Sequence, residues 1–263
     1  MPGVRQGLRN LSCPNENFTA TVSLVKKSLY VGVSGFSYPG WKGNFYPKDL
    51  KSEDFLAFYS QKLNSVEINS SFYAPPSAAI VKSWSAKTQD SFKFSMKAPR
   101  QITHILKLGQ GAADSATRLD GTLDLLGSKR GPVLFQLPPF LRQDLRLLQG
   151  FLDETSTFKE RVFEFRHDSW MNEPTFDLLE SHHAGFCVAE TEDMKPVLKV
   201  IGEVAYFRLR NDRYDHKSVD AWSAKIRDLS KDSKEVYVYL RHDETGENAA
   251  NALRLGEGIR QES

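Results

Sequence analysis

Cysteine is nearly absent from this chain, and long apolar runs are absent altogether. Cys13 and Cys187 are the only cysteines, and they lie far apart in sequence. Two isolated cysteines match no metal or redox spacing, so neither a disulfide framework nor a zinc cluster is predicted. No run of about eighteen apolar residues occurs, so no membrane-spanning helix is predicted. We therefore expect a soluble protein of the cytoplasm with no membrane partner.

The sequence also lacks an excess of either charge. Lys and Arg number 35 against 33 Asp and Glu, which gives a formal net charge of +2. No overall field therefore attracts the chain to nucleic acid, and any anion site must be a local cluster. Glycine-rich phosphate loops, dinucleotide-binding turns and serine nucleophile elbows are missing too. No cofactor and no metal ion is predicted from these patterns.

What the sequence does contain is a regular alternation of apolar, β-branched runs with helix-like stretches. This alternation is typical of a parallel sheet with crossover helices, and eight strands are the number that closes a barrel. The predicted strands are Leu29–Gly35, Ser65–Tyr73, Phe92–Pro99, Pro132–Pro139, Arg161–His167, Gly185–Thr191, Val204–Asn211 and Glu235–His242. We predict one α/β domain, a (β/α)8 TIM barrel over residues 29–263, after a poorly ordered tail of residues 1–28.

The stretches between the predicted strands differ in regularity. Residues of Glu53–Leu63 and Asp144–Leu152 repeat apolar side chains with a helical period, which suits helices that cover the outside of a barrel. The third connection, Thr103–Gly131, is long and broken by glycine, and the sixth, Glu192–Glu203, is short and contains Pro196. We predict that the third and sixth connections are irregular.

Polar side chains interrupt strands that should be apolar on both faces if the barrel is parallel. In three strands, two polar residues are separated by one apolar residue and therefore share a face. These pairs are Glu67 and Asn69, Glu164 and Arg166, and Arg208 and Arg210. Others sit late in their strands, namely Lys97, Gln136, Glu190 and Arg241. The outer face must meet apolar helices, so we predict that these polar groups point inward, near the C-terminal ends of the strands. The sequence therefore predicts a ring of positive and negative side chains at the barrel mouth.

Several ordered motifs together resemble one known family. They are Gly35–Trp41 with Phe45–Pro47, Val66–Tyr73, Thr103–His104, Gly131–Pro139 and Glu164–Trp170. The chain resembles the YecE-like family, whose function is unknown, over about residues 29 to 255. The resemblance implies a TIM barrel and supplies no reaction. Members of this family are similar in fold to sugar-phosphate isomerases and to the barrel-type apurinic endonucleases.

The first functional hypothesis is a pocket for a small anion that carries phosphate or carboxylate. Guanidinium and ammonium groups suit such oxyanions, and the predicted clamp consists of Lys97, Arg166, Arg208 and Arg210. Glu67 and Glu164 are the acid/base candidates, because two carboxylates in one cavity tend to separate in pKa. His167, the last residue of the predicted fifth strand, is the third predicted catalytic residue. Hydrolysis and isomerisation would both fit.

Further residues complete the predicted ligand site. Tyr38, Trp41, Tyr73 and Trp170 either stack on a sugar or base or simply pack their loops. The polar ligand-binding candidates are Asn69, His104, Gln136 and Glu190.

Two other hypotheses stay open. One is a metal-dependent phosphodiesterase or nuclease whose ligands would be His104, His167, His242, Glu67, Glu164 and Glu190. No two of these fall at a diagnostic metal-binding spacing, and a site rich in arginine repels cations, so a nucleic-acid partner is not favoured. The other is a non-catalytic protein that binds an anionic metabolite. Loss of turnover without loss of affinity in Glu164→Gln would distinguish an enzyme from a binder.

Overall fold

The computed structural model describes residues 27–191 and 195–261 and shows eight parallel strands in one sheet. The strands are β1 (Ser28–Val33), β2 (Ser65–Ile68), β3 (Lys93–Lys97), β4 (Arg130–Gln136), β5 (Arg161–Glu164), β6 (Gly185–Glu190), β7 (Val204–Leu209) and β8 (Glu235–Leu240). Each strand pairs with the next one in sequence from β2 to β8, and β8 pairs with β1. The predicted barrel and its eight strands are confirmed. The predicted tail lies outside the described residues, apart from its last two positions.

In the described residues, seven α-helices follow strands on the outside of the barrel. They are α1 (Phe55–Lys62), α2 (Ala78–Ala86), α3 (Ala112–Leu123), α4 (Leu145–Glu154), α5 (Glu173–Ser181), α6 (His216–Leu229) and α7 (Glu247–Arg260). Side chains of Asp144, Asn172 and Asp215 accept hydrogen bonds from backbone N–H groups in the first turns of α4, α5 and α6. These N-caps satisfy donors that a helix cannot satisfy internally.

The two connections predicted to be irregular differ from each other. The third contains α3, which is entered through a π-helical turn at Gln101–Ile105 and left through a 3-10 segment, Asp124–Lys129. Gly127 in that segment has a φ of 56°, a conformation that favours glycine. In the sixth connection, residues 195–203 contain no helix, and residues 192–194 lie outside the described part of the chain.

Alternation along the strands divides the core into two layers. Side chains on the outer faces pack against the helices in one large hydrophobic cluster. A smaller cluster fills the barrel interior with Leu134, Val162, Cys187, Tyr206, Tyr237 and Tyr239. The interior is therefore a packed plug, and its upper surface forms the floor of the C-terminal mouth.

Between β1 and β2 the barrel is closed largely by side chains, because these two strands do not form a full ladder of backbone hydrogen bonds. In the described chain these two strands share an isolated bridge at Ser34 and Glu67. Below it, the Tyr59 hydroxyl accepts from the Val33 N–H at 2.9 Å and donates to the Ser65 carbonyl at 2.9 Å. Gly32 is required here, because a Cβ atom at that position would overlap the Ser65 carbonyl oxygen.

The Tyr59 hydroxyl should contribute to stability through these two backbone groups. We expect Tyr59→Phe to lower the free energy of unfolding by about 1–2 kcal/mol, because the Val33 N–H and Ser65 carbonyl lose a partner in a buried position. Urea unfolding followed by circular dichroism measures the change. Tyr73→Phe is the control, since the Tyr73 side chain is 78% exposed. Equal stabilities of the two variants would contradict a closing role for Tyr59.

Candidate functional site

A buried ion cluster occupies the centre of the barrel mouth. Arg208 on β7 donates from Nε and Nη2 to the two carboxylate oxygens of Glu67 on β2, at 2.8 and 2.9 Å. Its Nη1 donates to Glu164 Oε2 on β5 at 2.5 Å. All three side chains are buried, with exposures of 0% for Glu67 and Glu164 and 1% for Arg208. We call Glu67, Glu164 and Arg208 the central ion cluster.

Both carboxylates of this cluster stay ionised. Burial alone would raise the pKa of Glu67, but the paired Arg208 outweighs it and lowers that pKa to about 2. Ser34 Oγ and the Tyr206 hydroxyl also donate to the Glu67 carboxylate, each at 2.9 Å. The pKa of Glu164 is likewise lowered, since Arg208 and Arg166 overcome the effect of its burial. Both pKa values are lowered, because one guanidinium bridges both groups.

Three further cations, Lys97, Arg166 and Arg210, surround the cluster and are called the outer cations. Arg166 pairs through Nε with Glu164, and Arg210 Nη1 donates to Ser34 Oγ at 2.6 Å. Burial and the charge of Arg208 lower the pKa of Arg210 to about 10. These arginines retain donor groups that the cluster does not use.

Lys97 is the outer cation without an anionic partner in contact. Its Nζ lies 4.1 Å from the centre of the Phe72 ring. Within residues 27–191 and 195–261 the structure shows no hydrogen bond or ion pair from this ammonium group. Burial and the nearby Arg208 charge lower the pKa of Lys97 to about 8. The central ion cluster and the outer cations together hold four cations and two carboxylates, so the mouth is positive.

Two predicted amide side chains border this charge. Gln136 Oε1 lies 3.5 Å from Arg208 Nη1, at the limit of a hydrogen bond. Asn69 Oδ1 is buried and has no hydrogen-bond partner among the described residues. Asn69 lines a cleft of about 280 Å³ together with Gly35 and Tyr38. A buried acceptor of this kind is normally satisfied by water or by a ligand.

The four predicted aromatic residues divide into two buried tryptophans, which pack loops, and two tyrosines nearer the surface. Trp41 and Trp170 are fully buried, and their indole N–H groups donate to the carbonyls of Asp243 at 2.7 Å and Leu141 at 2.8 Å. These two tryptophans anchor loops. Tyr38 donates to the Ser34 carbonyl at 2.8 Å and stays at the rim, whereas Tyr73 is exposed.

Glu190 does not join the inward ring that the sequence predicts. On β6, Cys187 and Ala189 contact the interior cluster, so Glu190 takes the opposite face. There it accepts a hydrogen bond from the Tyr214 hydroxyl at 2.5 Å.

The three predicted histidines lie on separate connections with different neighbours. His104 Nδ1 is 2.9 Å from Thr103 Oγ1, and its ring meets Phe72 edge to face. His167 Nδ1 is 2.9 Å from Ser169 Oγ, and the His242 ring stacks on Tyr38. In the part of the chain that the structure describes, no three His, Cys, Asp or Glu side chains gather as a metal site.

Two residues of the site were not predicted from the sequence as ligands of the cluster. Ser34 connects Arg210 to Glu67, and Tyr206 donates to Glu67 from the floor of the mouth. Tyr206 precedes Arg208 by two positions, so strand alternation was the signal that could have found it.

Comparison with known proteins identifies the family of this chain. A family model described as a protein of unknown function, DUF72, matches residues 30–263. This chain belongs to the DUF72 family. The predicted YecE-like relationship is confirmed, and the family description assigns no reaction.

The DUF72 chain has relatives in several bacteria. It is 23% identical to the UPF0759 protein YunF of Bacillus subtilis, over 86% of this chain and 93% of YunF. It is 30% identical to the UPF0759 protein YecE of Escherichia coli K12, over 53% of this chain and 48% of YecE. The match therefore spans about half the length of YecE.

Solved structures support the fold of the DUF72 chain. A DUF72 protein of Thermotoga maritima superposes with a TM-score of 0.78 and 28% identity, over 89% of this chain and 100% of that one. A DUF72 protein of Enterococcus faecalis gives a TM-score of 0.73 at 18% identity, over 89% of this chain and 96% of that one. None of the helices in the described part of the chain is long and apolar enough to cross a bilayer.

Proposed function

We propose that the barrel mouth binds a small anionic ligand that carries a phosphate or carboxylate group. The excess of positive charge at the outer cations is the observation that carries this proposal. Partly buried cations without counter-ions are costly, and a bound oxyanion would remove that cost. The lowered pKa values of Lys97 and Arg210 reflect the same burial and repulsion.

The outer cations, and not Arg208, would contact the ligand. Arg208 already uses Nε, Nη1 and Nη2 on two carboxylates, so these donor groups are occupied within the cluster. We assign it a positioning role: it holds the floor of the mouth and repels Lys97 and Arg210. This revises the predicted clamp, in which all four cations bind the ligand.

The ligand would also carry a hydroxyl group. The Asn69 amide oxygen, two residues after Glu67, is buried without a partner among the described residues and can accept from such a hydroxyl.

Acid/base chemistry by Glu67 or Glu164 would require a change at the cluster. Both carboxylates are ionised, and both oxygens of Glu164 accept from an arginine. A hydrolase or isomerase at this mouth would therefore use Lys97 more readily, since its pKa of about 8 lies near physiological pH. A metal-dependent phosphodiesterase is disfavoured, because the candidate histidines face different partners and the mouth is cationic.

Titration calorimetry with sulfate tests the proposal, because sulfate keeps its charge from neutral to alkaline pH. We expect one sulfate per chain at about pH 7, with an affinity that falls by roughly tenfold by about pH 9.5. The lowered pKa of Lys97 determines the direction of this pH dependence. Lys97 is mostly protonated below about pH 8, and above that pH it must take up a proton when sulfate binds, so the affinity falls. The charged groups that act on Lys97 are Arg208, Arg210, Glu164 and Glu67.

Lys97→Arg is the matched control, since a guanidinium stays charged across this range. It should bind sulfate with nearly constant affinity. Absence of sulfate binding at millimolar concentration would contradict the proposed function. A pH dependence that survives in Lys97→Arg would show that another group is responsible.

A further inference from the structure

The position of Lys97 in the barrel is fixed by strand alternation. Ser95, two residues earlier on β3, faces the interior, where its hydroxyl lies 2.8 Å from the Tyr239 hydroxyl. Lys97 therefore points the same way, one level higher, at the C-terminal end of the strand. This is the end at which barrel enzymes carry their reactive groups.

The surroundings of Lys97 make its ammonium group easier to deprotonate than that of an exposed lysine. Burial and the charge of Arg208 lower the pKa of Lys97 to about 8, although Glu164 and Glu67 act in the opposite direction. Its Nζ lies 4.1 Å from the centre of the Phe72 ring, and no carboxylate of the described chain forms an ion pair with it. Part of the amine is therefore neutral at mildly alkaline pH. A lysine that is partly desolvated beside other cations is the type of residue that attacks carbonyl carbon.

The same mouth could hold a substrate that presents a carbonyl carbon to this amine. Arg210 and Arg166 have guanidinium N–H groups left for an oxyanion, because their hydrogen bonds within the described chain use Nη1 of Arg210 and Nε of Arg166. A carboxylate or phosphate held there would lie at the same end of the barrel as Lys97, on which the Arg210 charge acts.

We propose that Lys97 forms a Schiff base with an aldehyde or ketone that carries a carboxylate or phosphate group. This inference rests on the proposed anion site and goes further, because it names a covalent step and the chemical class of the substrate. The chain then acts on anionic carbonyl compounds, through an iminium intermediate at Lys97.

The step is balanced without any further reagent. The lysine ammonium first releases one proton, and the nitrogen lone pair then forms a bond to the carbonyl carbon. A second proton moves from nitrogen to the carbonyl oxygen, which becomes a hydroxyl group. This hydroxyl takes up the proton released in the first step and leaves as water. The product is a protonated imine with one hydrogen on nitrogen, and no electron is gained or lost overall.

Reductive trapping tests this inference on the full chain. The protein is incubated with pyruvate or dihydroxyacetone phosphate and sodium cyanoborohydride, and the intact mass and the proteolytic peptides are measured. We expect one adduct per chain, located on Lys97, that forms at least tenfold faster than any adduct on a surface lysine. Lactate and glycerol 3-phosphate, which lack the carbonyl group, should give none.

Lys97→Arg removes the nucleophilic amine and should lose the trapped adduct. Sulfate binding by the wild-type protein separates this inference from the proposed function. Wild-type protein that binds sulfate but traps neither probe on Lys97 would overturn the Schiff base and leave the anion site intact. Protein that binds no sulfate and traps neither probe would overturn both. Trapping spread evenly over surface lysines in wild type also counts against the Schiff base.

Discussion

Arg208→Met is expected to lower the free energy of unfolding by about 3–5 kcal/mol at neutral pH. Methionine fills much of the same space, but it leaves the buried carboxylates of Glu67 and Glu164 without the guanidinium that bridges them. Breaking a buried ion pair costs more than the pair itself contributes, because the remaining charges stay desolvated. Urea unfolding followed by circular dichroism measures the loss.

The pH dependence of this loss identifies its cause. In the wild type the Glu67 pKa lies below the ordinary value of 4.5, at about 2, so its contribution is present above pH 4.5 and is lost as pH falls toward 2. Without Arg208, burial raises both carboxyl pKa values and the groups protonate. The difference between variant and wild type should therefore shrink as the pH is lowered from about 7 to about 4.

A matched control separates the buried cluster from arginine pairs in general. Arg254 forms a two-point pair with Asp220 at the surface, at 2.9 and 2.7 Å. Because solvent screens exposed pairs, Arg254→Met should unfold close to the wild type. If Arg208→Met were no less stable than Arg254→Met, the central ion cluster would not hold the mouth together.

Arg210→Met should reduce sulfate affinity by roughly 30- to 100-fold, the cost of losing a charge-assisted contact worth about 2–3 kcal/mol. Arg210 is the outer cation that reaches Ser34, beside the cleft lined by Gly35 and Asn69. Its removal also eliminates one of the two excess charges. Calorimetry at about pH 7 measures the affinity, where the ligand and Lys97 are both charged.

Arg213→Met is the control for this prediction. Arg213 is exposed and lies three residues further along the chain, so the substitution removes the same formal charge from a side chain that is not one of the outer cations. Sulfate affinity should change little in this variant at physiological ionic strength. Equal losses in the two variants would indicate a diffuse electrostatic effect and not a site at Arg210. Thermal melting confirms that each variant is folded.

The fold was predictable because local pattern and global architecture agree. Eight apolar runs with helical stretches between them left few alternatives to a barrel, and the strand bounds moved by only a few residues. The third connection was harder. Its helix α3 contains Gly121 and polar residues, so its period is obscured and the glycines around it suggest a loop.

Strand alternation predicted the inward positions of the residues that form the central ion cluster, and it failed on β6. Glu67, Glu164 and Arg208 meet as alternation requires, because each is flanked by outward apolar residues that fix the phase. On β6 both faces are buried and apolar, so the phase could not be read from Glu190 alone. Cys187 determines it, and that contact is visible only in three dimensions.

The pairing pattern could not be predicted from the sequence at all. Glu67 and Arg208 are separated by 141 positions, and nothing in either strand specifies that one guanidinium bridges two carboxylates. Arg208 pairs with carboxylates and Lys97 does not, and this difference follows from distances across the barrel. We therefore interpret the site as an excess of positive charge at the outer cations and not as a clamp of four cations.

Binding of an oxyanion by the outer cations can be observed in a crystal structure of the protein soaked with tungstate, because tungsten is located by its anomalous scattering. We expect one tungstate at the C-terminal end of the strands, in contact with the Lys97 ammonium and the Arg210 guanidinium. Tungstate bound only elsewhere on the molecule, with none at Lys97 and Arg210, would show that the outer cations do not form an anion site.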